Sequence, residues 1–372
     1  MKIGTTNTVI IGGGIAGIST AYYLAQNGID NIVIERDGVG SHASGHAYGG
    51  LGALYRKGND QATHELALMS FKLYQELALQ LPSETGINFD YRTRPTITLC
   101  FSDNEIKELK ASLNSQLNPE GYIVSWLNQS QIASLEPRIS PEIHGGLFVE
   151  GTADIEPQRM TIALAKGAEK LGAKFHKGNV TGIIKEKTTI RGVIVDSDEI
   201  SCSNIVIAMG PWSSIASAWV GSQIEVSPLK GQILRLLAKG EPYKFSVTWN
   251  GNYAVTKPDG LVWAGTTEEE TGFDESITKQ AANNIILNLN KMIPSIQNPQ
   301  IVRQTACLRP ISPDRLPIIG PVNNLPGAFI ATGGGRNGIN LGTGMGQIIA
   351  DLIAHNPPTI DIQPFSPTRF ND

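Results

Sequence analysis

Residues 9–17 read Val-Ile-Ile-Gly-Gly-Gly-Ile-Ala-Gly, an apolar run of strand character feeding a turn with Gly12, Gly14 and Gly17. A helical stretch, 18–25, follows directly. In this G-x-G-x-x-G spacing Gly12 permits the tight turn, Gly14 lets the backbone approach a pyrophosphate, and Gly17 lets helix and strand pack closely. The helix start then offers free N–H groups and a positive dipole end to phosphates. A second β-rich run, 31–34, ends in Glu35, an acid about 20 positions past the glycines, where a ribose hydroxyl is to be met. An acid there disfavours a 2′-phosphate. The strand–turn–helix–strand context therefore implies a bound FAD or NAD.

Size and charge narrow the class. The chain has 372 residues, enough for two domains, with 41% hydrophobic and 17% charged residues, as in an ordinary globular protein. A formal net charge of −4 provides no basic footprint, so nucleic acid is not an expected partner. Three scattered cysteines, Cys100, Cys202 and Cys307, make neither a disulfide frame nor a zinc cluster, and no metal is expected. A reducing, cytoplasmic setting fits them best. The first 20 residues lack a signal-type cleavage site, and no apolar run approaches the length of a membrane span. Peripheral membrane attachment stays open.

Periodicity predicts helices over 61–81 (Leu66, Met69, Leu73, Leu77 and Leu81 on one face), 105–117, 129–135, 160–171, 277–292 and 343–354. Strands are expected over 96–101, 173–177, 193–195, 204–208 and 329–332. From 230 to 267 apolar and polar residues alternate between turn signals at 250–252 and 259–260, the pattern of a β-meander.

With these motifs placed, the chain resembles the D-amino-acid-oxidase-like FAD oxidoreductases, in particular bacterial glycine oxidases and D-amino-acid dehydrogenases. The blocks that carry the resemblance are the 12–17 turn with Glu35; 40–50, Gly-Ser-His-Ala-Ser-Gly-His-Ala-Tyr-Gly-Gly; 151–157, Gly-Thr-Ala-Asp-Ile-Glu-Pro; 205–213, Ile-Val-Ile-Ala-Met-Gly-Pro-Trp-Ser; and 307–320 with 333–339. The resemblance implies an α/β, Rossmann-like FAD domain of glutathione-reductase type from residues 1–90, 145–222 and 300–372. An antiparallel-sheet, α+β substrate domain from 91–144 and 223–299 is interleaved with it. It implies FAD contacts at Gly12, Gly14, Ile15, Ala16, Gly17, Glu35, Arg36, Ser41, Ser44, Gly45, His46, Gly49, Gly50, Val180, Ala208, Gly210, Trp212, Arg309, Gly333, Gly335, Arg336, Asn337, Gly338 and Ile339.

The resemblance further implies that Arg309, in Leu-Arg-Pro, grips a substrate carboxylate, for which a planar bidentate fork is suited. The competing reading is an arginine paired with a structural acid. Tyr253 falls where glycine oxidases bind the carboxylate with a tyrosine, although a strand tyrosine also serves as core. Arg336 matches their Arg-Asn-Gly motif, but Gly334 and Gly335 replace the preceding His-Phe. His42 and His46 lie in the flavin loop. Cys307 falls where sarcosine oxidases tether flavin covalently, yet a small core residue suits the position as well, so non-covalent FAD is expected. Trp263 stands where those enzymes carry an oxygen-promoting lysine. The implied activity is oxidation of glycine or a small D-amino acid to an imine, then to an oxo acid and ammonia, with oxygen or another acceptor. The alternatives are an N-methylamino acid substrate such as sarcosine, or a flavoprotein subunit working with a partner protein. A homo-oligomer is compatible with both.

Overall fold

A computed structural model describes residues 2–53, 61–113 and 121–370. The strand Thr8–Ile11, with all four side chains buried, sits inside a six-stranded sheet. Its neighbours are Asn31–Glu35 and Asn204–Ile207, both parallel to it. Lys174–Lys177 flanks the first, Ala328–Thr332 the second, and the antiparallel Ile318–Pro321 closes the edge. Chain order therefore reverses at Thr8–Ile11, where an α/β sheet opens a ligand crevice beyond its carboxyl ends.

Helices Ile15–Gln26, Gln61–Thr85, Pro157–Lys170 and Gly338–Ile353 cover one face and share the largest apolar core. The last helix nearly touches the first: a Cβ added at Gly346 would sit 2.6 Å from Thr20 N. This close approach explains a difference from the sequence pattern. The helix expected from 343 begins at Gly338, after a 3₁₀ turn Gly335–Asn337. Low glycine propensity argued against helix there, and backbone-to-backbone packing overrides it. The helix expected over 105–117 is Asp103–Ser112, started by the Ser102 side chain, which accepts from Glu105 N. Residues 114–117 of that expectation lie outside the described residues.

The second large element is an eight-stranded sheet, in which Gln300–Ile311, Ser227–Leu237, Val262–Gly265, Asn252–Thr256, Ser246–Trp249, Thr96–Cys100, Gly145–Glu150 and Ile123–Leu127 lie side by side. Residues 145–150 and 300–311, grouped above with the dinucleotide domain, are hydrogen-bonded into this sheet. Backbone pairing places them there, whereas the boundaries given above followed the order of the motif blocks along the chain. Helix Lys279–Met292 packs on one face through Leu234, Val247, Ala254 and Val262. The opposite face presents Ile233, Tyr253, Val255 and Trp263.

A small sheet joins the two bodies. It pairs Ala153–Asp154 with Gly50–Leu51 and Arg92–Thr93. Asp154, fully buried, accepts from Arg92 Nε at 2.7 Å, Arg94 Nε at 3.1 Å and Lys257 Nζ at 2.9 Å. Arg92 and Arg94 also donate to Thr256 O, so three cations fasten the small sheet to the large one. Burial pushes the Asp154 carboxyl up, but these donors outweigh it and hold it below the usual 3.8. Its contribution to stability is thus complete above that value and lost as pH falls through the lower folded-state pKa. Asp154→Asn leaves buried cations uncompensated and should cost about 3–5 kcal/mol in denaturant unfolding at neutral pH. A loss under about 1 kcal/mol would show that the clamp is not structural.

Candidate active site

At the sheet's carboxyl end, Gly12 adopts φ +112° and a Cβ there would overlap Ala208 O. No bulkier residue fits. Gly14 caps the helix Ile15–Gln26 without a side-chain bond, and the Ile15 N–H is held by Ser44 Oγ at 3.0 Å. Glu35, ending its strand, accepts from Gly13 N at 2.6 Å and Asp37 N at 2.7 Å, which fixes its carboxylate beside the glycine turn. A long cleft starts here and runs past Trp212 and the turn at Gly334 to Arg309 and Tyr253.

Of the residues singled out from sequence, Gly12, Gly14, Ile15, Ala16, Glu35, Arg36, Ser41, Ser44 and His46 line the cleft, as do Val180, Ala208, Gly210, Trp212, Tyr253, Arg309, Gly335, Arg336, Gly338 and Ile339. Six others stand behind its wall. Gly17 packs on Gly12 O, Gly45 on Gly40 O, Gly49 on Ile155 O and Gly50 on the Tyr48 ring. Gly333 supports the turn at φ +76°, and Asn337 is exposed. The lining residues that sequence reasoning missed include Gly13, Tyr48, Ile233, Met209 and Trp219. A strict period-two reading of the meander puts Ile233 on the site-facing side, because it pairs with Gly265 opposite Tyr253. Tyr48 had no signal beyond its loop.

These residues fit an FAD. The glycine turn leaves room for a pyrophosphate, and Glu35 and the helix start supply the polar partners. Ser41 Oγ and His46 Nδ1 are buried on the loop without protein partners. Burial, then the charges of Arg303 and Arg235, lower the His46 pKa, so its imidazole is neutral at pH 7.

At the far end Arg309 Nη1 donates to Thr267 O at 3.0 Å and Nη2 to Thr266 Oγ1 at 2.7 Å. Among the described residues no carboxylate lies within 4 Å of this guanidinium, so the structural ion pair weighed above is not formed. Tyr253 is 7% exposed and stacks on Tyr48 with ring centres 4.6 Å apart. Burial raises the Tyr253 phenol well above the ordinary range while nearby Arg309 pulls the other way, so it remains a proton donor. Arg336 differs from Arg309. Its Nη1 is paired with Glu268 at 2.9 Å and its Nη2 donates to Gly251 O, which makes it a rim strut.

Cys307 lines the cleft, and burial pushes its thiol up. Trp263 lies beneath the site, with Nε1 donating to Asp259 Oδ2 and Arg235 over its ring at 4.0 Å. A thiol held in its protonated form is a poor nucleophile, so acid denaturation should release FAD from the polypeptide. Gly14→Val should lower the FAD retained through gel filtration, since the branched side chain enters the pyrophosphate space. Flavin that stays with the acid-denatured chain, or full retention in the valine variant, would contradict this placement.

Known proteins match this geometry along almost its whole length. Glycine oxidase from Bacillus licheniformis is 30% identical, with 94% of each chain covered. The HcnC subunit of hydrogen cyanide synthase from Pseudomonas aeruginosa is 28% identical over 98% of this chain and 96% of its own. The crystal structure of glycine oxidase from Geobacillus kaustophilus superposes with a TM-score of 0.92 at 27% identity, covering 99% of this chain and all of that one. Among the described residues no helix is long and apolar enough to cross a membrane. A family model described as FAD dependent oxidoreductase matches residues 7–352, and the chain belongs to that family of enzymes.

Proposed function

We propose that the protein oxidises glycine or another small amino acid through its α-carbon, giving an imine that water hydrolyses to an oxo acid and ammonia. The observation that carries this reading is the Arg309 guanidinium, free of any carboxylate and set at the end of the dinucleotide cleft beside the Tyr253 phenol. A positive fork and a neutral O–H donor together suit one carboxylate. Its relatives named glycine oxidase support the choice of substrate class.

In this reading Arg309 binds the substrate carboxylate through the N–H groups not spent on Thr266 and Thr267. Tyr253 Oη donates the remaining hydrogen bond and orients the α-carbon toward the cleft. Ile233 and the stacked tyrosines exclude water from that side. The bound flavin supplies the two-electron acceptor for the hydride that leaves the α-carbon. No protein base is required if the amine enters neutral, because loss of the hydride leaves an iminium ion that water hydrolyses to the oxo acid and ammonium. Likeness to HcnC, named as a subunit, favours a second reading in which the same oxidation occurs within a larger assembly. Co-purification of a stoichiometric partner from the native host distinguishes the two.

Anaerobic addition of glycine to the purified yellow protein should bleach its flavin absorbance, and in air hydrogen peroxide should appear. Arg309→Ala should lower kcat/KM about 100-fold or more, mainly through KM, with the flavin spectrum unchanged. No bleaching by any small amino acid would overturn the proposal. Loss of bound FAD in Arg309→Ala would make that arginine structural.

A further inference from the structure

The register of the large sheet gives the substrate end of the cleft a defined direction. Gly231 pairs with Cys307, and the Arg309 guanidinium lies over Gly231, where a Cβ would overlap it. The next row on the same face holds Ile233, Gly265 and Tyr253. A Cβ on Gly265 would come within 2.9 Å of Tyr253 Oη and 2.8 Å of Ile233 Cγ2, so the phenol tip and Ile233 lie over Gly265 in the row next to the guanidinium. The row beyond holds Trp263 and Val255. Tyr48 packs against this cluster and lines the same cleft as Arg309, so a ligand anchored at the guanidinium shares the cleft with its ring.

Tyr48 is fixed on every side. Its ring stacks on Tyr253 at an interplanar angle of 19°, and its Oη is hydrogen-bonded to Ser246 Oγ. Lys257 Nζ lies over the ring, 5.4 Å from its centre. Gly50 makes room for the ring, because a Cβ there would lie 2.6 Å from Tyr48 Cε1. Gly49, at φ +83° and packed against Pro157 at 2.7 Å from a would-be Cβ, sets the entry angle of the chain. The ring also screens the cleft from the buried Asp154–Lys257 pair. Such a support shell holds a side chain where it cannot swing aside for a larger ligand.

We infer that Tyr48 is the residue that sets the upper size of the substrate side chain, acting as a rigid stop opposite Arg309, with Gly49 and Gly50 as its mounting. The inference rests on the reading of Arg309 as the carboxylate anchor. The neutral ring limits length by volume, and its hydroxyl serves only to fasten it to Ser246.

The test is a ladder of straight-chain carboxylic acids, from acetate to hexanoate, titrated into oxidised FAD-loaded protein and followed by calorimetry and by the flavin spectrum. Wild type should bind acetate and lose affinity as the chain lengthens. Tyr48→Ala, with Tyr48→Leu as the milder variant should alanine fail to fold, should bind the longer acids at least about 10-fold more tightly than wild type while acetate changes little, the scale set by one or two methylenes accommodated in a pocket. Tyr48→Phe should keep the wild-type ladder, since the ring remains. A wild-type ladder that does not fall with length, or folded Ala and Leu variants that keep the wild-type ladder, would overturn the inference. The oxidative reading fails separately, on absence of flavin bleaching by amino acids. Absence of acetate binding in wild type overturns the inference by removing Arg309 as the carboxylate anchor, whatever the bleaching shows.

Discussion

A guanidinium held against the open face of the eight-stranded sheet, which is antiparallel but for the parallel pair Ser246–Trp249 and Thr96–Cys100, by the absence of a side chain at Gly231 is the feature around which this molecule is arranged. Arg309 comes from the strand Gln300–Ile311 and crosses to lie over Gly231 of the paired strand Ser227–Leu237. Its two bonds to Thr266 and Thr267 fix the plane of the fork while leaving its charge uncompensated. A partly buried cation without an anion is costly, and such arrangements mark sites where the ligand supplies the missing charge. The glycine-rich turn at the end of the six-stranded sheet opens a cleft that leads past Ile233 to that cation, and in the function proposed above this cation receives the substrate carboxylate.

Elsewhere the protein treats charge in the opposite way. Asp154 gathers Arg92, Arg94 and Lys257 in the interior between the small and large sheets, where all three cations donate to its carboxylate. Arg336, which matches the Arg-Asn-Gly motif of glycine oxidases, is spent on Glu268 and Gly251 across the rim. Comparing the three clusters separates binding from scaffolding on physical grounds. The saturated ones hold the halves together, and the unsaturated one faces the cleft.

Much of this was legible in the chain because the first unit is locally determined. Strand, turn, helix and Glu35 lie within 9–35, and Gly12 and Gly17 there are each required by a backbone oxygen that a Cβ would overlap. The eight-stranded sheet was only half legible. Alternation exposed the meander, but the pairing of Gly145–Glu150 and Gln300–Ile311 into it depends on partners far away in sequence. The start of the last helix at Gly338 was hidden for a related reason: its glycines disfavour helix locally and are present to meet Ile15, Ser19 and Leu66. Tyr48 was invisible as a site residue, since its meaning comes from Tyr253, about two hundred positions on, and from Ser246.

The most direct test of the central claim keeps the arginine at 309 and displaces its guanidinium. A methyl group at Gly231 would overlap the flexible end of Arg309 rather than any backbone atom, so Gly231→Ala should shift the guanidinium without unfolding the sheet. Equilibrium titration of oxidised FAD-loaded protein with acetate, read from the flavin spectrum, reports on the fork alone. Saturable binding in wild type that weakens about 10-fold or more in Gly231→Ala, with FAD content and melting temperature preserved, is the predicted result, in line with the loss of a charge-assisted bidentate contact. Equal acetate affinity in the two proteins would contradict the account, because the position of Arg309 would then have no part in holding a carboxylate.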